Sequence, residues 1–458
     1  MRSWAIADLN GDGLDDIVVA PTFFDQKPDL PIEIWINKGD GTFENRTRKW
    51  FVGPVPTVAG AISVVVADFN GDGKPDLFIS DFGQEDHDCT ATPCASARNH
   101  LFLSDATGKW RDASASLANN ASARSNHVTT GVGDLNGDGR IDIAVPNLGE
   151  VGIVGDGVIL HMNSGGGTFS DGTASLSDEI GHLPYSYQFS GARAATYDRQ
   201  GVGATAIADL DGDGKAELIT CSYTVGDRFT KRKTIRFSRW NAAASKMEEV
   251  GRYVLSGALE AVIAPPAFAR DNGTLGCAGL WVADIDHDGI PDLMVLWEGT
   301  SESYIQLLKG KGNFQFDDVT LTALGAYRST FAEGGFKWAS LGYRFQDING
   351  DGFVDIVELN GGLSAQRLAT GMPTAWINDG RGKFSPQRLV VDGANVTQTQ
   401  VEALTSCNFC SHASFYGRFV SRSDGRKTLD LLLVNTNEDI GGTPLQERSI
   451  SLRVLKAR

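Results

Sequence analysis

One nine-residue pattern constrains this chain more than any other feature: D-x-[DN]-x-D-G-x-x-[DE]. It stands at Asp8–Asp16, Asp68–Asp76, Asp134–Asp142, Asp209–Glu217, Asp284–Asp292 and Asp347–Asp355, in copies 60 to 75 residues apart. Recurrence on that scale marks a repeat architecture, in which each unit buries its apolar face only by stacking on its neighbours.

The flanks of the pattern set the secondary structure. A short apolar run precedes each copy, such as Ile62–Ala67, and another follows, such as Ile17–Ala20. Runs of four to six residues, rich in Val and Ile and bounded by Gly and Asp, predict strands rather than helices. A third run follows after a variable gap (Ile32–Asn37, His100–Ser104, Val158–Asn163, Tyr304–Lys309, Thr374–Asn378). After a glycine turn comes a fourth run bearing an aromatic (Gly41–Phe43, Gly108–Trp110, Gly167–Phe169, Gly312–Phe314, Gly382–Phe384). In the fourth unit Thr234–Trp240 and Glu248–Val250 hold these places. Each unit therefore predicts four antiparallel strands, A to D, with the acidic loop joining A to B.

Sheets of this size close best by radial packing around an axis. Phe415–Val420, Asp430–Asn435 and Ser449–Leu455 predict strands A, B and C of a seventh unit, whose loop Ser421–Leu429 has lost the acid spacing and is expected to bind no metal. The expectation is an all-β, seven-bladed β-propeller of four-stranded antiparallel blades. It spans residues 1–458 as one domain, with units near 1–60, 61–127, 128–202, 203–278, 279–338, 339–414 and 415–458. A chain starting in a strand A and ending in a strand C predicts that residues upstream once supplied the missing strand.

The loops themselves point to calcium. Positions 1, 3, 5, 7 and 9 are Asp8, Asn10, Asp12, Leu14, Asp16; Asp68, Asn70, Asp72, Lys74, Asp76; and Asp134, Asn136, Asp138, Arg140, Asp142 in the first three. In the last three they are Asp209, Asp211, Asp213, Lys215, Glu217; Asp284, Asp286, Asp288, Ile290, Asp292; and Asp347, Asn349, Asp351, Phe353, Asp355. Side-chain oxygens at 1, 3, 5 and 9, with a main-chain carbonyl at 7, make the hard donor set that Ca²⁺ accepts. Glycine at position 6 permits the sharp turn. An EF-hand needs a bidentate Glu at position 12, where these loops place Val19, Ile79, Val145, Thr220, Val295 and Glu358. Good hairpin turns alone would not explain acids at both ends of the motif. Packing three or four carboxylates into one turn is repulsive without a cation. Six Ca²⁺ would bring the formal charge from −16 to −4.

This pattern between two strands resembles the FG-GAP/VCBS repeats of integrin α-subunit propellers and their bacterial and fungal relatives. The resemblance implies a seven-bladed propeller with Ca²⁺ in its A–B loops, at a cell surface or secreted.

Net negative charge argues against a nucleic-acid partner, whose phosphates want Lys and Arg, and no apolar stretch is long enough to span a bilayer. The chain shows no G-x-S-x-G, H-E-x-x-H or P-loop motif. The longest connections are expected on the rim opposite the acidic loops, with Phe23, Phe24, His87, Tyr185, Tyr187, Tyr197, Phe331 and Phe336 as candidates for a glycan or protein platform. Asp81, Glu85, Asp86, His87 and Asp88 form an acidic cluster on that rim, read as a solvated loop ahead of a catalytic or cation site. Among six Cys, the close pairs Cys89/Cys94 and Cys407/Cys410 fit local disulfides or thiols. A recognition module is the expected role, with a polysaccharide-active enzyme or a structural display domain as alternatives.

Overall fold

Val/Ile-rich runs on either side of each acidic loop pair as antiparallel hairpins, and every hairpin is extended outward by two further strands. The computed structural model describes residues 2–21, 30–58, 60–81, 98–120, 129–146, 157–176, 200–224, 234–255, 276–298, 302–324, 329–330, 343–358, 375–387, 390–391, 394–395, 411–419, 429–436 and 450–455. Strands A to D run Arg2–Ala7, Asp16–Pro21, Glu33–Asn37 and Phe43–Asn45 in blade 1. In blade 2 they are Ala61–Ala67, Asp76–Asp81, His100–Ser104 and Trp110–Asp112. Blade 3 has Gly131–Gly133, Asp142–Pro146, Val158–Gly165 and Thr168–Asp171. Blade 4 has Gln200–Ala208, Glu217–Thr224, Thr234–Asn241 and Lys246–Val254. Blade 5 has Gly276–Ala283, Asp292–Glu298, Glu302–Gly310 and Phe316–Asp318. Blade 6 has Tyr343–Gln346, Asp355–Glu358, Ala375–Asn378 and Phe384–Gln387.

Among the described residues six four-stranded blades are present, which corrects the expectation of seven. The last unit forms a three-stranded sheet, Ser411–Gly417, Asp430–Thr436 and Ile450–Leu455. Two strands also differ from expectation: strand A of the last unit runs Ser411–Gly417 and not Phe415–Val420, and strand D of blade 5 is shifted. Strand D of blade 5 starts at Phe316, because Asn313 and Phe314 take positive φ (50° and 58°) and spend those residues in the turn.

The apolar core is a ring of clusters, each lying between neighbouring sheets. Val18, Ile34 and Ile36 of blade 1 pack on Leu77, Ile79 and Phe102 of blade 2. Ile219, Cys221 and Phe237 of blade 4 pack on Leu293, Val295 and Trp297 of blade 5. This is how four-stranded sheets bury both faces.

Two junctions differ from the rest. Strand B of blade 4 and strand A of blade 5 are joined by one main-chain pair, Tyr223 with Gly276, and by a disulfide between Cys221 and Cys277. Both cysteines are fully buried. The other four cysteines lie outside the described residues. At the second junction the three-stranded sheet stands between blades 6 and 1. Leu429 donates its N–H to Ile348 O (3.0 Å), and Asp15 donates its N–H to Arg418 O (3.1 Å). Asp15 Oδ2 accepts the Arg418 N–H at 2.6 Å, and Oδ1 accepts from the guanidinium at 3.0 Å. Phe419, fully buried, packs among Trp4, Ile17 and Val19 of blade 1 and Val357 of blade 6.

Strand A of each blade is innermost. Together these strands line an axial cavity of about 850 Å³, with Ala5, Val64, Gly131, Ala206, Trp281 and Phe345 on its wall. Asparagines at the outer end of strand C tie blades in one rotational sense. Asn163 Nδ2 donates to Phe69 O of blade 2 (2.8 Å), Asn378 Nδ2 to Ile285 O of blade 5 (2.8 Å), and Asn37 Nδ2 to Arg418 O (3.4 Å).

Candidate metal centres

Each acidic loop is organised by its first aspartate. In loop 1, Asp8 Oδ1 accepts the N–H groups of Gly11 (2.7 Å) and Asp12 (3.1 Å), and Oδ2 accepts that of Gly13 (2.8 Å). Asp68, Asp134, Asp209, Asp284 and Asp347 hold their loops through the same carboxylate, each accepting the N–H of the sixth-position glycine. The fifth aspartate accepts the N–H of position 7, from Leu14, Lys74, Arg140, Lys215, Ile290 and Phe353. This bond uses only the main chain of position 7, so the turn tolerates side chains of varied chemistry there. The sixth-position glycine has positive φ throughout, from 81° at Gly73 to 93° at Gly352. A Cβ on Gly13 or Gly73 would meet nothing within 4 Å, so backbone conformation and not crowding demands glycine.

The ninth acid has a second role that the sequence pattern alone did not separate from ligation. Asp16, Asp76, Asp142, Glu217, Asp292 and Asp355 are at most 1% exposed. Asp16 Oδ2 accepts the Leu9 N–H (3.0 Å) and Oδ1 the Asn37 N–H (2.8 Å), which locks the loop to strand C. Asp142 grips Leu135 and Asn163, Asp292 grips Ile285 and Gly310, and Asp355 grips Ile348 and Asn378 in the same way. Burial pushes Asp16, Asp142, Asp292 and Asp355 up to about 6, against the pull of these hydrogen bonds. Asp76 and Glu217 are raised by the same cause. The metal-free fold thus strains to keep these groups ionised, and a cation would relieve it.

The residues fit Ca²⁺. All donors are oxygens. In loop 4 one oxygen from each of Asp209, Asp211 and Glu217 lies within 4.8 Å of the others, and in loop 5 the same holds for Asp284, Asp286 and Asp292. Oxygens lying about 2.3–2.6 Å from one ion would show that spread. Asp286 Oδ1 is buried and has no hydrogen-bond partner. In loops 1, 2, 3 and 6 an asparagine oxygen replaces the third-position carboxylate.

The proposed ligand platform cannot be placed: Phe23, Phe24, His87, Tyr185, Tyr187, Tyr197, Phe331 and Phe336 lie outside the described residues. So do Glu85, Asp86 and Asp88. Asp81 is fully buried, accepts the Gly60 N–H at 2.7 Å and lies 3.1 Å from His100 Nε2, a structural contact.

The sequence profile of the FG-GAP-like repeat matches residues 8–79 and 284–358, the regions holding loops 1, 2, 5 and 6. The fold is a β-propeller, and these two segments of it are similar to the FG-GAP-like repeat. Loops 3 and 4, outside the matched regions, share the same hydrogen-bonded turn. No curated protein matches the chain in sequence. Among solved structures, the Nup133 β-propeller domain of Vanderwaltozyma polyspora is 12% identical, with a TM-score of 0.37 over all of this chain and 90% of that one. A likeness of that degree carries no argument about function.

Proposed function

We propose that the protein is a calcium-stabilised recognition module, with Ca²⁺ held in the acidic A–B loops and a glycan or protein ligand bound on the opposite rim. One observation carries the metal half: each loop gathers three or four side-chain oxygens of acids around a turn, and two of the loops bring three carboxylates within 4.8 Å. The ion would be held by side chains at positions 1, 3, 5 and 9 and the main-chain carbonyl of position 7, and would supply positive charge only; the chain's own hydrogen bonds already shape the turn. Antiparallel order A-B-C-D puts the A–B and C–D connections on one rim and the longer B–C and D–A connections on the other. Loops on a rigid scaffold are the usual seat of recognition. A buried disulfide fits an oxidising, extracellular setting. Among the described residues no helix is long and apolar enough to cross a membrane.

Calorimetric titration of chelator-stripped protein should show saturable calcium uptake and a raised melting temperature. A glycan array read with calcium and with chelator should then show calcium-dependent retention without product. No heat of binding and an unchanged melt would end the metal reading, and turnover of a bound polysaccharide would replace the module with an enzyme.

A further inference from the structure

The six loops are not equivalent. Loops 1, 2, 3 and 6 have Asn10, Asn70, Asn136 and Asn349 at position 3, whereas loops 4 and 5 have Asp211 and Asp286. The two richer loops therefore carry one more negative charge. Strand C differs in step with them. Extending the B–C register by one pair beyond Ile17–Trp35, Leu77–Phe102, Ile143–His161 and Ile356–Trp376 puts Ile36, Leu103, Met162 and Ile377 opposite the ninth acid. In blade 4 that place is Arg239, paired with Glu217, and in blade 5 it is Lys309, one step beyond Leu293–Leu308. A cation thus occurs in the two blades that have the additional acid, and an apolar residue in the other four.

Geometry joins the two facts. The Arg239 guanidinium lies 2.7 Å from Asp211 and 3.1 Å from Asp213, and its Nε donates to Glu217 at 2.6 Å. Positions 3, 5 and 9 of loop 4 all converge on it. The Phe314 ring of blade 5 lies 5.5 Å from its Cζ and holds the fork in place. Lys309 pairs with Asp286 and lies 2.9 Å from Asp288, but as a point charge it leaves Asp286 Oδ1 without a partner. Elsewhere the basic side chains stay at the rim. Arg140 donates its Nε to Asn163 O (2.8 Å) and touches a single loop-3 acid, Asp138, while Lys74 donates to the carbonyls of Asp105 and Ala106.

We propose that Arg239 and Lys309 are built-in counter-cations that compete with calcium for loops 4 and 5, so that the loops fall into two affinity classes. Loops 1, 2, 3 and 6 form the tight class. Loop 5 is weaker, and loop 4, where a forked cation covers three acids, is the weakest. The inference rests on the calcium reading above and goes beyond it, because the same acids that look richest in ligands become the poorest binders.

Calcium titration of the stripped full-length chain tests this, with Arg239→Met, Lys309→Met and Arg239→Lys beside the wild type. Four tight sites are expected in the wild type, with the remaining two weaker by about tenfold or more, the factor that 1.4 kcal/mol represents. Arg239→Met and Lys309→Met should each move one site into the tight class and lower the chelated melting temperature, while Arg239→Lys should leave the tight count unchanged. The single variants act in different blades, so failure of one to fold leaves the other to report. Six indistinguishable sites, unaltered by either methionine variant, would overturn the two-class inference alone. Absence of calcium uptake in every protein would overturn the underlying reading instead.

Discussion

The junction between blades 4 and 5 and the seam between blades 6 and 1 solve the same problem by opposite means. At the first, a disulfide crosses the boundary and Arg239 of blade 4 leans on Phe314 of blade 5. At the second, a three-stranded sheet is fitted between two complete blades with no covalent link among the described residues. Among the described residues its hold includes the Phe419 side chain, two main-chain hydrogen bonds, the Asn37 tie to Arg418 O and the paired contacts of Asp15 with Arg418. Arg418 directly follows a strand whose last pair, Gly417 with Asp430, matches Ala7 with Asp16. A cation therefore stands where every other loop starts with aspartate, and it answers Asp15 of the neighbouring loop. The contrast teaches that one boundary is closed by a covalent staple and an arginine stacked on an aromatic ring, and the other by charge pairing and one buried aromatic.

Breaking the seam should have the largest effect. Phe419→Ala removes a fully buried aromatic and should cost about 3–5 kcal/mol, seen as a lower denaturation midpoint, with hydrogen exchange rising first in blades 6 and 1. Removing the staple comes next. The cysteines are 56 residues apart, and chain entropy gives a bridge of that span about 4 kcal/mol, with engineered losses often smaller. The double variant Cys221→Ala with Cys277→Ala should therefore lose about 2–4 kcal/mol and shift the earliest exchange to blades 4 and 5. Should exchange still start at the seam, the disulfide is not what makes the two junctions differ.

Acidity should discriminate least. In the metal-free protein the folded carboxyls of Asp16, Asp142, Asp292 and Asp355 sit near 6 instead of 3.8, so the folded state holds more protons between those values. Stability from these groups is complete below about 3.8 and is lost as pH rises through about 6. His161 works the other way: burial holds it down to about 4 from 6.5, and it costs stability as pH falls through that window. Four acids against one histidine make the chelated protein melt higher at pH 5 than at pH 7.5, by at most about 1 kcal/mol for each acid. The acids lie in blades on both sides of the comparison, so seam and staple should shift together. With calcium bound the trend should reverse, since protons then compete with the ion.

Much of the molecule could be read from its residues, and the reasons are local. Val/Ile runs framing Asp and Gly specify strand, turn and strand within a few positions, so strands A and B of the six acidic-loop units fall where expected. Strand D of blade 5 is harder to read because two aromatics stand close together: Phe314 is used in the turn and Phe316 opens the strand. The close cysteine pairs drew attention by spacing, but Cys221 and Cys277 meet only because strand B of one blade lies beside strand A of the next. Arg239 and Lys309 were hidden for a related reason: whether a basic residue faces an acid 17 to 22 positions earlier depends on B–C register, which variable connections conceal. One missed signal was present all along. After strand D, Asn45-x-Thr47, Asp112-x-Ser114, Asp171-x-Thr173 and Asp318-x-Thr320 recur, and the hydroxyl of each accepts an N–H from strand C.

The asparagine ties described between blades all point the same way around the axis. Asn163 holds the loop of blade 2, Asn378 that of blade 5, and Asn37 the sheet behind blade 1. Such an arrangement has handedness as a mechanical part. At these three boundaries the turn of one sheet is therefore fastened to the third strand of its successor, so loosening that turn also loosens the neighbour's edge.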